Sequence, residues 1–186
     1  MLKIVLIAGI SLLAACNSGT KDEVASVAPN ADSSAAASAE NITYPYTAMY
    51  SSKFTIGDPK HAKLVLDLWK DWDNGDLSKS KDKFADSVYM YFWDGSKLEA
   101  TRDSVIAVSQ KFRDSYVSVT SSIDAFVALK STDKDESWVN IWGKEIHTDK
   151  KGKVDSINLH EVWRINKDGK TDLCYQFANM PAKPKK

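Results

Sequence analysis

Between residues 59 and 74 the apolar positions Ala62, Val65, Leu66, Leu68, Trp69 and Trp72 recur at steps of three and four, which gives a helix one wide apolar face. Asp58-Pro59 is its predicted opening: the Asp side chain caps free amides, and a proline in the first turn loses no needed N–H. Asn74-Gly75-Asp76 ends it. A second short helix is predicted over residues 77–84. Residues 88–93 then turn β-branched and aromatic, Asp94-Gly95 is a hairpin signal, and residues 97–100 return. Thr101 caps a third helix with the stripe Val105, Ile106, Val108, Ser109 and Phe112. Beyond Tyr116 the period becomes two, over runs 117–130, 138–148, 156–166 and 173–180, with turns near Asp133, Lys151-Gly152 and Lys167-Asp168-Gly169. This order predicts an α+β domain, about three helices packed on a curved antiparallel sheet of four long strands plus a short hairpin.

The first 56 residues follow neither period. An apolar run from Ile4 to Ala14 stands behind Lys3, and the small residues Ala14 and Ala15 precede Cys16, which are the parts of a secretory signal. Leu13-Ala14-Ala15-Cys16 resembles the lipobox of bacterial lipoproteins. The resemblance implies that the Cys16 thiol takes a diacylglycerol, that cleavage leaves Cys16 as the first mature residue, and that acyl chains hold the protein on a bilayer at ~0.8 kcal/mol per buried methylene. An ordinary signal peptide with a chance cysteine is the other reading. Residues 17–40 are Ser, Ala, Asp, Asn and Thr with almost nothing bulky to repay ordering entropy, so they are expected to form a disordered tether. Within them Lys21-Asp22-Glu23 resembles the short acidic export signal of Bacteroidetes surface lipoproteins, and also fits a few solvated charges near an anchor. Residues 41–54 carry Tyr44, Tyr46, Met49, Tyr50 and Phe54 around Pro45 and are expected to pack on the domain as a non-helical arm. The expected division is signal peptide 1–15, lipidated cysteine, tether and arm 16–56, domain 57–181, and basic tail 182–186.

The charges balance, 25 basic against 25 acidic, so no bulk field draws the chain to nucleic acid. Of the two cysteines, a lipidated Cys16 leaves Cys174 without an intramolecular partner. Stability then rests on packing, to which six Trp, seven Tyr and six Phe contribute.

The order of elements, with Trp69-Lys70-Asp71-Trp72-Asp73-Asn74-Gly75-Asp76 closing the first helix, Phe84-Ala85-Asp86 opening the first strand and Val162-Trp163-Arg164-Ile165 before Asp168-Gly169-Lys170, resembles the NTF2-like superfamily. Its SnoaL-like and ketosteroid-isomerase-like members are closest in spacing, over about residues 57–180. The resemblance implies a cone with an interior pocket, catalytic in some members and ligand-binding in others, so fold leaves function open. In this register the isomerase tyrosine falls on Leu68 and its general base on Phe92, so both roles are missing, while the acid that holds an enolate oxygen falls on Glu161.

Leu159, Glu161, Trp163 and Ile165 share one strand face, mostly apolar, that should look into the core or pocket. There a neutral Glu161 could donate a hydrogen bond to a ligand oxygen, and Leu in its place would avoid the desolvation cost; at an edge it would be solvated or paired with a lysine. Leu173, Tyr175 and Phe177 form the expected apolar face of the last strand, with Tyr175 either offering its hydroxyl to a ligand or serving as core. The face of Trp138, Asn140, Trp142 and Lys144 is mixed, as a surface or homodimer interface would be. The tryptophans line a cavity or fill a core. His61, His147 and His160 lack metal-ligand spacing, so no metal or cofactor is expected. Asp86-Ser87-Val88, Asp103-Ser104-Val105 and Asp155-Ser156-Ile157 resemble Bacteroidetes O-glycosylation triplets and equally fit caps and turns.

The functional expectation is a lipid-anchored protein of the bacterial cell envelope, on the outer rather than the inner membrane. Its domain would bind a small apolar molecule or an envelope partner without catalysis, in a pocket of Trp69, Phe92, Glu161, Trp163 and Tyr175. Two alternatives stay open: a SnoaL-like enzyme using Glu161 for isomerase or related acid–base chemistry, and a structural or dimerisation module whose cone is filled by side chains.

Overall fold

The computed structural model describes residues 43–179. Cys16, the tether and the basic tail lie outside the described residues.

Helix α1 runs Pro59–Asn74, where Asp58 accepts from the Lys60 amide and Gly75, at φ 79°, donates to the carbonyls of Asp71 and Trp72. Only the left-handed backbone at Gly75 lets the chain turn this tightly, which a side chain would strain. A 3-10 helix follows over Leu77–Lys83, opened by the Asp76 side chain on the Ser78 amide. Helix α2 spans Arg102–Arg113 with Thr101 as its cap. Its expected apolar stripe is only half buried: Val105 is enclosed while Val108 and Phe112 reach solvent.

The strands are β1 (Phe54–Ile56), β2 (Phe84–Tyr91), β3 (Lys97–Thr101), β4 (Tyr116–Ser131), β5 (Glu136–Asp149), β6 (Val154–Ile165) and β7 (Thr171–Asn179). They form one seven-stranded sheet in the order β1-β4-β5-β6-β7-β2-β3, larger than the four long strands and separate hairpin that the sequence suggested. Nor is it wholly antiparallel, because β2 pairs parallel with β7, Tyr89 beside Leu173 and Tyr91 beside Tyr175. An isolated hairpin would leave an edge of unpaired amides, and docking β2 on β7 satisfies it. Strand β4 carries a register break between Ile123 and Ala125, a bulge that bends it.

The sheet also takes in Phe54–Ile56, which pairs with Leu129–Ser131 of β4. The preceding residues are tied to the β4–β5 turn: Tyr50 packs edge-on against Trp138 and donates to Glu136, Ser51 donates to Asp133, and the Lys53 carbonyl accepts from the Thr132 amide, while Tyr46 and Met49 stand in solvent. The core lies between the helices and the concave face of the sheet, around Val65, Trp69, Val88, Val105, Val139, Ile141 and Trp163.

Candidate functional site

Alternation along β6 buries Leu159, Glu161, Trp163 and Ile165 on the concave face. Glu161, only 6% exposed, is surrounded by donors: Trp69 Nε1 at 2.7 Å and Trp163 Nε1 at 2.9 Å both donate to Oε2, and Gln176 Nε2 at 2.8 Å donates to Oε1. Burial pushes this carboxyl above its ordinary value, and the three N–H groups pull against that shift by favouring the ionised form. Trp69 reaches Glu161 because α1 lies close over β5 at Gly143. A Cβ there would stand 2.6 Å from the Ser122 carbonyl oxygen and 3.0 Å from the Trp69 ring, so only glycine fits.

Above this floor lies a cavity of about 630 Å³. Its walls are largely apolar, including Leu68, Trp72, Phe92, Leu98, Phe112 and Ile157. The volume lies within the usual range of ligand pockets, ~300–1,000 Å³.

Of the residues that the sequence singled out, Trp69, Phe92, Glu161 and Trp163 border this cavity. Tyr175 does not. It pairs with Val162 on the convex face, is 39% exposed and stacks on Tyr91 at 5.2 Å between ring centroids. The concave positions of β7 are Cys174, Gln176 and Ala178, opposite Trp163, Glu161 and Leu159. The bulky residues at 173, 175 and 177 look like a core face in the sequence, yet pairing with β6 decides which parity turns inward, and there Gln176 takes the place expected for Tyr175. Trp138 and Trp142 likewise sit on the convex face, where Trp142 stacks on His160 at 4.6 Å. His147 is on the concave face and His61 on α1, so the three histidines sit apart.

Sequence reasoning passes over Glu145 and weighs His147 only as a metal ligand. The buried alternation Val139, Ile141, Gly143 continues to both, so they were recoverable from the parity opposite to the Trp138 face. Glu145 Oε2 accepts from Trp72 Nε1 at 2.8 Å. His147 Nδ1 lies 3.4 Å from Glu145 Oε1, within ion-pair reach but not aligned as a hydrogen bond, and has no other partner. Burial raises the Glu145 carboxyl to about 7, opposed by the Trp72 hydrogen bond, reinforced by the charges of Glu161 and Asp73, and again opposed by Arg113. The Tyr116 hydroxyl is pushed up as well, chiefly by burial and then by Glu145 and Asp155. A carboxyl in this state can accept or release a proton near neutrality.

No protein-family model matches the chain, and no curated protein does. Solved structures do resemble it. A candidate SnoaL-like polyketide cyclase from Shewanella denitrificans OS-217 aligns at 13% identity and TM-score 0.54, over 66% of this chain and 92% of that one. The epoxide hydrolase/cyclase-like enzyme SalBIII, of pyran ring formation in the polyether salinomycin, aligns at 16% and 0.52, over 66% and 92%. An NTF2-like protein of unknown function from Exiguobacterium sp. 255-15 aligns at 14% and 0.50, over 64% and 98%. The domain therefore has the NTF2-like fold, which is shared by proteins described as enzymes and by proteins without a known role.

Proposed function

We propose that this chain is a lipid-anchored protein of the bacterial cell envelope whose NTF2-like domain binds a small, largely apolar molecule without transforming it. One observation carries the reading: a cavity of about 630 Å³ with apolar walls, over a floor where both Glu161 oxygens are already occupied. Leu68 and Phe92, at the positions of the isomerase tyrosine and base, border the same cavity and carry no proton-transfer group. A cone of this volume also speaks against the filled, purely structural module.

The test is a thermal-shift screen of the purified protein against apolar metabolites. A ligand at ~100 times its dissociation constant is expected to stabilise the domain by ~2.7 kcal/mol, and a library that produces no shift counts against binding.

Enzymatic chemistry of the SnoaL-like type is the second reading, and Glu145 favours it, with a carboxyl raised to about 7 beside His147. The proton-transfer group would then be Glu145 rather than Glu161, whose oxygens are engaged.

Anchoring is tested separately. Cys16→Ser is expected to abolish labelling by a fatty-acid probe and to release the protein from membranes without detergent. A variant that stays membrane-bound and labelled refutes the anchor.

A further inference from the structure

Five side chains from four elements contact one another in a closed ring at the border of the cavity. Trp72 of α1 packs on Phe112 of α2 at 6.1 Å between ring centroids, Phe112 on Tyr116 of β4 at 5.6 Å, and Tyr116 on His147 of β5 at 4.4 Å. His147 then meets Glu145, whose carboxylate returns to the Trp72 indole N–H. All five line the cavity, and Phe112, 59% exposed, opens the ring to solvent.

The charge in this region is one-sided. Four carboxyls border the cavity, Asp94, Glu145, Asp155 and Glu161, against Lys97 and His147. Three of the carboxyls are engaged: Asp94 by Ser96, Asp155 by Lys153 at 2.7 Å, and Glu161 by its three donors. Glu145 has a single indole donor, and among the described residues His147 is the only basic side chain within ion-pair distance of it. Arg113 of α2, 7% exposed, spends its guanidinium on the carbonyls of Trp72, Asp73 and Tyr116, which locks α1 to the start of β4. Asp73 is held by Ser121 at 2.8 Å. The ring thus presents one undercompensated carboxyl among aromatic faces whose quadrupoles attract cations.

We infer that the ligand of the cavity is an apolar organic cation, an ammonium group on a hydrocarbon body, with its charged end held by Glu145 and the rings of Trp72, Phe112 and Tyr116. The inference rests on the binding reading above and names its ligand class. An anion would meet like charge at Glu145, the carboxyl here without a full countercharge. A neutral ligand would leave the buried Glu145 without a countercharge, which an ammonium supplies.

Benzyltrimethylammonium and its uncharged carbon isostere neopentylbenzene, titrated calorimetrically into the purified protein at pH 8, separate charge from shape. The ammonium is expected to bind at least ~10-fold more tightly than the isostere. Glu145→Gln should weaken the ammonium by ~10-fold or more while the isostere changes less than about twofold, which also certifies that the variant is folded. Phe112→Leu, at the exposed rim, should weaken the ammonium several-fold. Because this ligand cannot titrate, its affinity should fall by up to about tenfold from pH 8.5 to 5.5 as Glu145 takes up a proton, approaching the loss expected for Glu145→Gln. An isostere that binds as well as the ammonium, or an ammonium indifferent to Glu145→Gln, overturns the inference and leaves the binding reading standing. If neither probe binds and the metabolite screen gives no shift, both fall.

Discussion

At pH 8 the Glu145→Gln variant is expected to resist denaturant by about 3 kcal/mol more than the wild-type protein, whereas at pH 4.5 the two should be nearly equal. The sign follows from the raised pKa. In the unfolded chain Glu145 titrates near 4.5, and in the folded domain burial moves it to about 7, so the folded state prefers the protonated form. Whatever stability Glu145 contributes is fully present below pH 4.5 and is lost as pH rises through 7. A tenfold difference in proton affinity between the folded and unfolded states corresponds to about 1.4 kcal/mol. Glutamine keeps an acceptor for Trp72 Nε1 and cannot ionise, which removes the penalty without opening a cavity. Urea denaturation at the two pH values measures it, and a wild-type-to-variant difference that does not change with pH would show that Glu145 titrates normally.

Glu161 is expected to behave in the opposite way. Its replacement by Leu should destabilise the domain by about 2–4 kcal/mol, because the buried indole N–H groups of Trp69 and Trp163 lose their acceptor, at ~1–3 kcal/mol each, and the relief of burying a carboxyl offsets only part of this. From the sequence alone the same substitution looks stabilising, since an isolated buried acid costs more than a leucine. The three donors reverse the sign. Glu161→Gln retains an oxygen for both indoles and should stay within about 1 kcal/mol of wild type. A Leu variant as stable as the parent in urea would mean that these hydrogen bonds are not what holds the floor together.

These two carboxyls differ in role because of their neighbours. Glu161 is a structural acceptor with both oxygens taken, and Glu145 is the group left to face a ligand. The residue that family register singles out is therefore the less available one.

Local chemistry settles where elements start and stop. Asp58, Pro59 and Gly75 bound α1, Thr101 opens α2, and Asp94-Gly95 turns the hairpin, each through contacts within a few residues that a linear reading can see. Alternation on β6 also places Glu161 inside, since apolar neighbours on its own strand mark the face. Tyr175 shows the limit: large residues on β7 occupy the convex face, and only the register with β6 turns Gln176 inward. The parallel docking of β2 on β7 and the addition of β1 to β4 depend on pairings between distant strands, which no local pattern encodes. The site is of the same kind. Trp69 and Glu161 are separated by 92 residues and Trp72 and Glu145 by 73, so what each carboxyl accepts, and how far its pKa moves, exist only once α1 has closed over the sheet. Burial and hydrogen-bond geometry are properties of that closure rather than of any residue within it.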